Sequence, residues 1–174
     1  PGTHDFVAFD MAWGGKHHPT IPVYLGANSG HGKRGHPKIE RDQQNKAGFM
    51  LKHFFPDEVK SDLLAPPQVK SELKSKTLKV SVSFAQSSGE ESGRIWWIFD
   101  RAPDGSPSYM SEMIPDNQTM EMKKNGDQWT ATIELDPKAK RIDFFSNHRK
   151  TLRYKESSYR TYISSPYTRV HLKE

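Results

Sequence analysis

From Thr77 onward the apolar residues recur at every second position, and that period allows little besides β-structure. Leu78, Val80, Val82 and Phe84 alternate with Lys79, Ser81 and Ser83, and Trp129, Ala131, Ile133 and Leu135 alternate with Thr130, Thr132 and Glu134. Successive side chains of a strand point to opposite faces, so each run reads as a half-buried strand. Arg94 to Asp100 holds Ile95-Trp96-Trp97-Ile98-Phe99, apolar on both faces, and is expected at the centre of a sheet. Met120 and Met122 mark a weaker strand, and Asn125-Gly126 is a hairpin signal. Arg141–Ser146, Arg160–Ser164 and Thr168–Leu172 complete about seven strands with little helix. A mainly-β chain with an antiparallel β-sandwich over residues 77–174 is the expected architecture.

The first third of the chain follows another grammar. Asp5–Trp13 and Ile21–Ala27 are short apolar runs with turn-rich flanks. Ile21-Pro22-Val23-Tyr24-Leu25-Gly26 reads as a strand buried on both faces. A glycine-rich loop follows, Asn28-Ser29-Gly30-His31-Gly32-Lys33-Arg34-Gly35-His36. Pro37 suits a first helical turn, and a helix is predicted over 37–54, ended by Pro56. Ile39, Ala47, Met50, Leu51, Phe54 and Phe55 supply its apolar face. Strand, loop and amphipathic helix belong to an α/β domain, yet about 60 residues cannot close one. Residues 1–60 therefore read as the C-terminal remnant of such a domain, and the proline- and lysine-containing residues 61–76 read as a linker.

Composition narrows the function. Only 33% of the 174 residues are hydrophobic, but four Trp, nine Phe and six Tyr can each bury a large area, which argues against a disordered chain. The net charge of +5 is spread among nearly as many carboxylates, without the basic stripe of a nucleic-acid protein. With no cysteine there is no disulfide and no thiolate chemistry. No apolar run approaches the ~20 residues of a membrane-spanning helix. The chain opens Pro1-Gly2-Thr3 without an initiator methionine, so a missing N-terminus is expected. The compartment stays open, secretion or periplasm among the options.

His31 is the sharpest chemical candidate. A loop after a buried strand is where α/β folds place chemistry, and small neighbours leave the imidazole uncovered. Such a histidine can take and return a proton near neutral pH; the plain alternative is a histidine in a flexible turn. The loop does not bind phosphate in the Walker manner, because the glycine spacing is wrong and Arg34 stands where Ser or Thr is needed. His17, His18, His31 and His36 offer metal-ligand chemistry without a recognisable ligand spacing, and no cofactor is expected. No G-x-S-x-G nucleophile elbow occurs. If His31 is catalytic, its serine lies upstream of Pro1. Trp96, Trp97 and Trp129 could form a sugar platform, although tryptophans at strand spacing are more often core.

Ile21–Phe55 resembles the end of an α/β-hydrolase domain: last strands, the Gly-His-Gly loop and the closing helix. Lys79–Val170 resembles the β-sandwich that follows esterase-like α/β-hydrolases, including the acetyl xylan esterase and PhoPQ-activated pathogenicity-related groups. The similar stretches are Ile95-Trp96-Trp97, Asn125-Gly126-Asp127-Gln128-Trp129, Ile142-Asp143-Phe144-Phe145-Ser146-Asn147 and Ile163-Ser164-Ser165-Pro166. The resemblance implies that His31 is the triad histidine, with Asp10, Asp5 or a carboxylate upstream of Pro1 as the acid. It implies an ester or carbohydrate-linked small substrate. The rest of the hydrolase domain, or a second chain, would cover residues 1–60. The reading from another class is a β-sandwich that binds a glycan or protein partner without catalysis.

Overall fold

The computed structural model describes residues 20–27, 37–101 and 114–172. Among these lie one helix, α1 (Pro37–Phe54), and nine strands: β1 (Gln68–Lys74), β2 (Thr77–Ser83), β3 (Ser92–Phe99), β4 (Thr119–Glu121), β5 (Lys123–Asn125), β6 (Gln128–Glu134), β7 (Arg141–Tyr154), β8 (Ser157–Ser164) and β9 (Thr168–His171). They form two antiparallel sheets, so the mainly-β, sandwich-like architecture expected from the period is the one found. The first sheet runs β1-β2-β6-β5. The second runs β4-β3-β7-β8, with β9 also on β7.

The core is built from the faces that the alternation marks. Leu78, Val80 and Val82 of β2, and Trp129, Ala131 and Ile133 of β6, pack against Ile95 and Trp97 of β3 and Ile142 and Phe144 of β7. Between β4 and β5 the chain crosses from one sheet to the other at Met122, which is itself buried in this core. The β5–β6 hairpin closes at Asn125–Gln128 around Gly126-Asp127, with Gly126 at φ 57°. The glycine of the Asn-Gly signal thus supplies the left-handed residue, one position earlier in the loop than a type I′ turn would use it.

The second sheet is covered on its other face too. Phe145 and Tyr167 are buried there with Ala27 and Ile114, and Leu25 and Trp96 pack on them. This explains why Arg94–Asp100 is apolar on both sides, and why Phe145 follows the core-facing Phe144. It also corrects the reading of Ile21–Gly26. These residues are an arm with no strand ladder, and Leu25 and Ala27 lie against the outer face of the sheet. Only part of the run is covered, with Ile21 left 56% exposed and Leu25 packed on the sheet, and among the described residues none of it pairs in a parallel sheet.

Two further expectations change. Within 61–76, predicted as linker, Gln68–Lys74 form β1 and pair along their whole length with β2. In α1, the residues predicted to face inward include Met50, half exposed, and Phe54, 68% exposed. The side that meets the sandwich carries Gln44, Asn45 and Gly48 instead. β8 explains this choice, because it is an edge strand whose outward N–H groups need acceptors. Gln44 Oε1 accepts from Arg160 N at 3.2 Å, and Asn45 Oδ1 accepts from Tyr162 N at 2.7 Å. Gly48 allows the close approach, since a Cβ there would stand 2.5 Å from Thr161 Cγ2.

Candidate functional site

His31, Asp10 and Asp5 lie outside the described residues, as do His17, His18 and His36. What is described is the chain on either side of the His31 loop, and both ends are fastened to the second sheet. On the upstream side Ser164 N donates to Val23 O at 2.7 Å, and Leu25 N donates to Ser164 Oγ at 2.7 Å. Asn147 Nδ2 donates to Leu25 O at 3.0 Å, and Ser164 Oγ donates to Asn147 Oδ1 at 2.6 Å. On the downstream side α1 is held by the Gln44 and Asn45 bonds to β8. Tyr24 joins the two ends, with its ring 5.5 Å from that of Tyr162 and under the Arg41 guanidinium at 5.6 Å. Burial pushes the Tyr24 phenol above its ordinary range, so it stays neutral.

Below this anchor lies a polar cluster. Arg169 clamps the buried Asp143 carboxylate through two bonds, Nε to Oδ1 at 2.6 Å and Nη2 to Oδ2 at 2.7 Å. Tyr167 donates its hydroxyl to Asp143 Oδ2 at 2.7 Å and accepts from Arg101 Nη1 at 2.9 Å. Both Asp143 and Arg101 are fully enclosed, at 1% and 2% exposure. Bidentate Arg–carboxylate geometry of this kind fixes orientation as well as charge. Nearby, Ser165 ties the point where β7 leaves β9 for β8: Ser146 N donates to Ser165 Oγ, and Ser165 N donates to Ser146 O, each at 2.8 Å. The interrupted apolar run Ile142-Asp143-Phe144-Phe145-Ser146-Asn147 signals these groups in the sequence. Its polar members, set among buried neighbours, need partners.

A serine–histidine contact does occur in the described residues. Ser146 Oγ lies 2.8 Å from His148 Nε2. It faces the inter-sheet core, where His148 is 0% exposed and packs edge-on against Phe84 and Trp129. No substrate reaches it, so it is a core hydrogen bond. A Cβ at Gly93 would lie 2.8 Å from Trp129 Cε3 and 3.0 Å from His148 Cε1, which shows how little room remains.

Burial drives the His148 imidazole down to about 4, and the nearby Glu90 carboxylate and Ser92 backbone offset only part of this. The folded protein therefore binds this proton less readily than the unfolded chain, whose histidine titrates near ~6.5. The resulting stability is fully present above pH ~6.5 and is lost as the pH falls towards about 4. The whole effect corresponds to roughly 3 kcal/mol. Glu90 also loses stability as the pH falls towards about 4, but that loss is common to wild type and a His148 variant and cancels between them. Burial pushes that carboxyl up, but bonds from Ser88, Lys124 and Trp129 outweigh this and bring it to about 2. Urea unfolding at pH 7 and pH 4 tests the assignment. Wild type should lose roughly 3 kcal/mol more than His148→Leu between the two, and equal losses in both would remove His148 as the cause.

An open groove of about 620 Å³ lies between the arm, α1 and β8, with Tyr24, Phe49, Met50, Leu64 and Ile163 among its walls. Met50 of its lining is followed one helical turn on by the exposed Phe54. Trp96, Trp97 and Trp129, the described tryptophans, share no common face: Trp97 and Trp129 are buried in the core, and Trp96 packs on the opposite face of the sheet. Among the described residues no group of His, Asp and Glu is arranged to hold a metal ion, and no helix is long and apolar enough to cross a membrane. No family model, no curated protein and no solved structure matches this chain.

Proposed function

We propose that the chain is the C-terminal part of an esterase-like serine α/β-hydrolase, with His31 as its catalytic histidine and the β-sandwich as an accessory domain. In this reading His31 takes the proton of a serine supplied by the upstream part of the protein as that serine attacks an ester carbonyl. It then returns the proton to the leaving group. Asp10, Asp5 or an upstream carboxylate orients the imidazole. The substrate is an ester or a carbohydrate-linked small molecule.

The observation that carries the reading is the double fastening of the His31 loop. Val23 and Leu25 are pinned to Ser164 and Asn147 on one side, and Gln44 and Asn45 to β8 on the other. Catalytic groups must be held within a fraction of an ångström, and the chain on both sides of His31 is tied to one sheet, which supports this reading. The chain as it stands lacks a nucleophile elbow, so it should not turn over p-nitrophenyl acetate. The longer protein with its upstream domain should do so, and a fluorophosphonate should label a serine in that domain. Inhibitor-sensitive turnover by the short chain, or no labelling of the longer protein, would sink the proposal.

A second reading, a module that binds a protein partner without catalysis, is favoured by the apolar groove and the exposed Phe54. The buried tryptophans give a glycan-binding version no support.

A further inference from the structure

The first sheet ends on β1, and among the described residues no element pairs with that edge. β1 and β2 are joined by the two-residue loop Ser75-Lys76, which closes at the Lys74–Thr77 pair. A two-residue loop closes on a hydrogen-bonded pair, and antiparallel ladders then alternate. Gln68, Lys70, Glu72 and Lys74 thus bond to β2, while Val69, Ser71 and Leu73 turn their backbone groups outward. The same rule holds in β8, whose loop closes at Tyr154–Ser157 and whose outward N–H groups are those of Arg160, Tyr162 and Ser164. There the arm and α1 accept them. On β1, among the described residues, nothing does, and every residue but Val69 is exposed. Leu73 is 46% exposed although it sits beside Leu78 on the core-facing side of the sheet.

The sequence Gln68-Val69-Lys70-Ser71-Glu72-Leu73-Lys74 is complementary to itself when reversed about Ser71. Two antiparallel copies with Ser71 on the two-fold axis set Val69 opposite Leu73 of the second copy, and Lys70 opposite its Glu72. Each pair occurs twice, as isologous symmetry requires. The outward groups of Val69, Ser71 and Leu73 then meet their counterparts in hydrogen-bonded register. Moving the axis to Lys70 sets lysine against lysine. Moving it to Glu72 sets glutamate against glutamate and Lys70 against Lys74, and like charges directly opposite destabilise a strand pair.

We propose that β1 is a self-recognition edge, through which two copies of this chain pair antiparallel about Ser71 and join their four-stranded sheets into one of eight. Charges on an edge strand ordinarily discourage pairing, but here their alternating sign selects one partner and one register. The apolar pair Val69–Leu73 covers the exposed leucine. A single seven-residue strand pair buries less than the ~1,200 Å² of a standard interface, so the dimer is expected only at high concentration, with a Kd of ~10–100 µM.

Sedimentation velocity on the full 174-residue chain across that range tests the proposal. Glu72→Lys should raise Kd at least ~tenfold, and adding Lys70→Glu should bring it back to within ~threefold of wild type. The chain has no cysteine, so an engineered one can bond only to its own copy. Ser71→Cys should form a disulfide-linked dimer on mild oxidation, because directly opposed residues lie ~5.5 Å apart. Val69→Cys should not, because two such residues sit four positions out of register, ~13 Å apart. A monomer at every concentration, a dimer indifferent to Glu72→Lys, or equal cross-linking of the two cysteine variants would overturn it.

Discussion

On the proposed hydrolase reading, replacing His31 by alanine in the longer protein is expected to lower kcat by roughly 10⁴- to 10⁶-fold, with KM and melting temperature nearly unchanged. A histidine that acts as general base and then general acid serves only the transition state. Its loss therefore appears in kcat, while substrate binding through other groups survives. The fold should not notice, because the loop is fastened at Val23, Leu25, Gln44 and Asn45 and none of those bonds involves the imidazole. Asp10→Asn and Asp5→Asn extend the experiment. Whichever is the triad acid should lose about 10⁴-fold, and the other should stay near wild type. If neither does, the acid lies upstream. A His31→Ala protein within tenfold of wild type would take this residue out of the mechanism and leave the partner-binding reading in its place.

The limits of what could be read in the sequence are physical ones. Alternation gave the core strands β2 and β6 because one face of each is buried and the other is not, whereas β3 was marked by a run apolar on both faces. β1 escaped because an edge strand with both faces near solvent keeps charges at Lys70, Glu72 and Lys74 and looks like a linker. β7 was seen only as far as Ser146. Beyond that point it continues through Asn147, His148 and Arg149 to Tyr154, polar residues whose burial depends on partners distant in sequence. Helix α1 was located to the residue by Pro37 and Pro56, yet its docked side was misjudged. Apolar periodicity names the face that suits a hydrophobic neighbour, whereas β8 offered backbone N–H groups and selected Gln44 and Asn45. The chemistry read at His31 falls outside the described residues. The fastening of the chain before it by Asn147 and Ser164 was not legible, since those residues lie more than a hundred positions from Leu25.

That same blindness hides the side chain on which stability should depend most. Asp143 places a carboxylate near the start of β7, and among the described residues its direct compensation is Arg169 with the Tyr167 hydroxyl. Asp143→Ala would leave the Arg169 guanidinium enclosed without its carboxylate and would take from Tyr167 its acceptor. Arg101, bonded to that same hydroxyl, would lose the negative charge at the end of the chain of bonds. Removing one member of a buried pair typically costs about 3–5 kcal/mol, because the remaining ion stays desolvated. Asp143→Asn keeps the shape and an acceptor but not the charge, so it should fall between wild type and alanine. Arg169→Met removes the opposite member and should approach the alanine loss, whereas Asp143→Ala with Arg169→Met leaves less charge stranded and should recover part of it. Urea titrations of the four proteins at pH 7 read these differences directly. A double variant no more stable than the sum of the single losses would mean that Asp143 and Arg169 contribute independently.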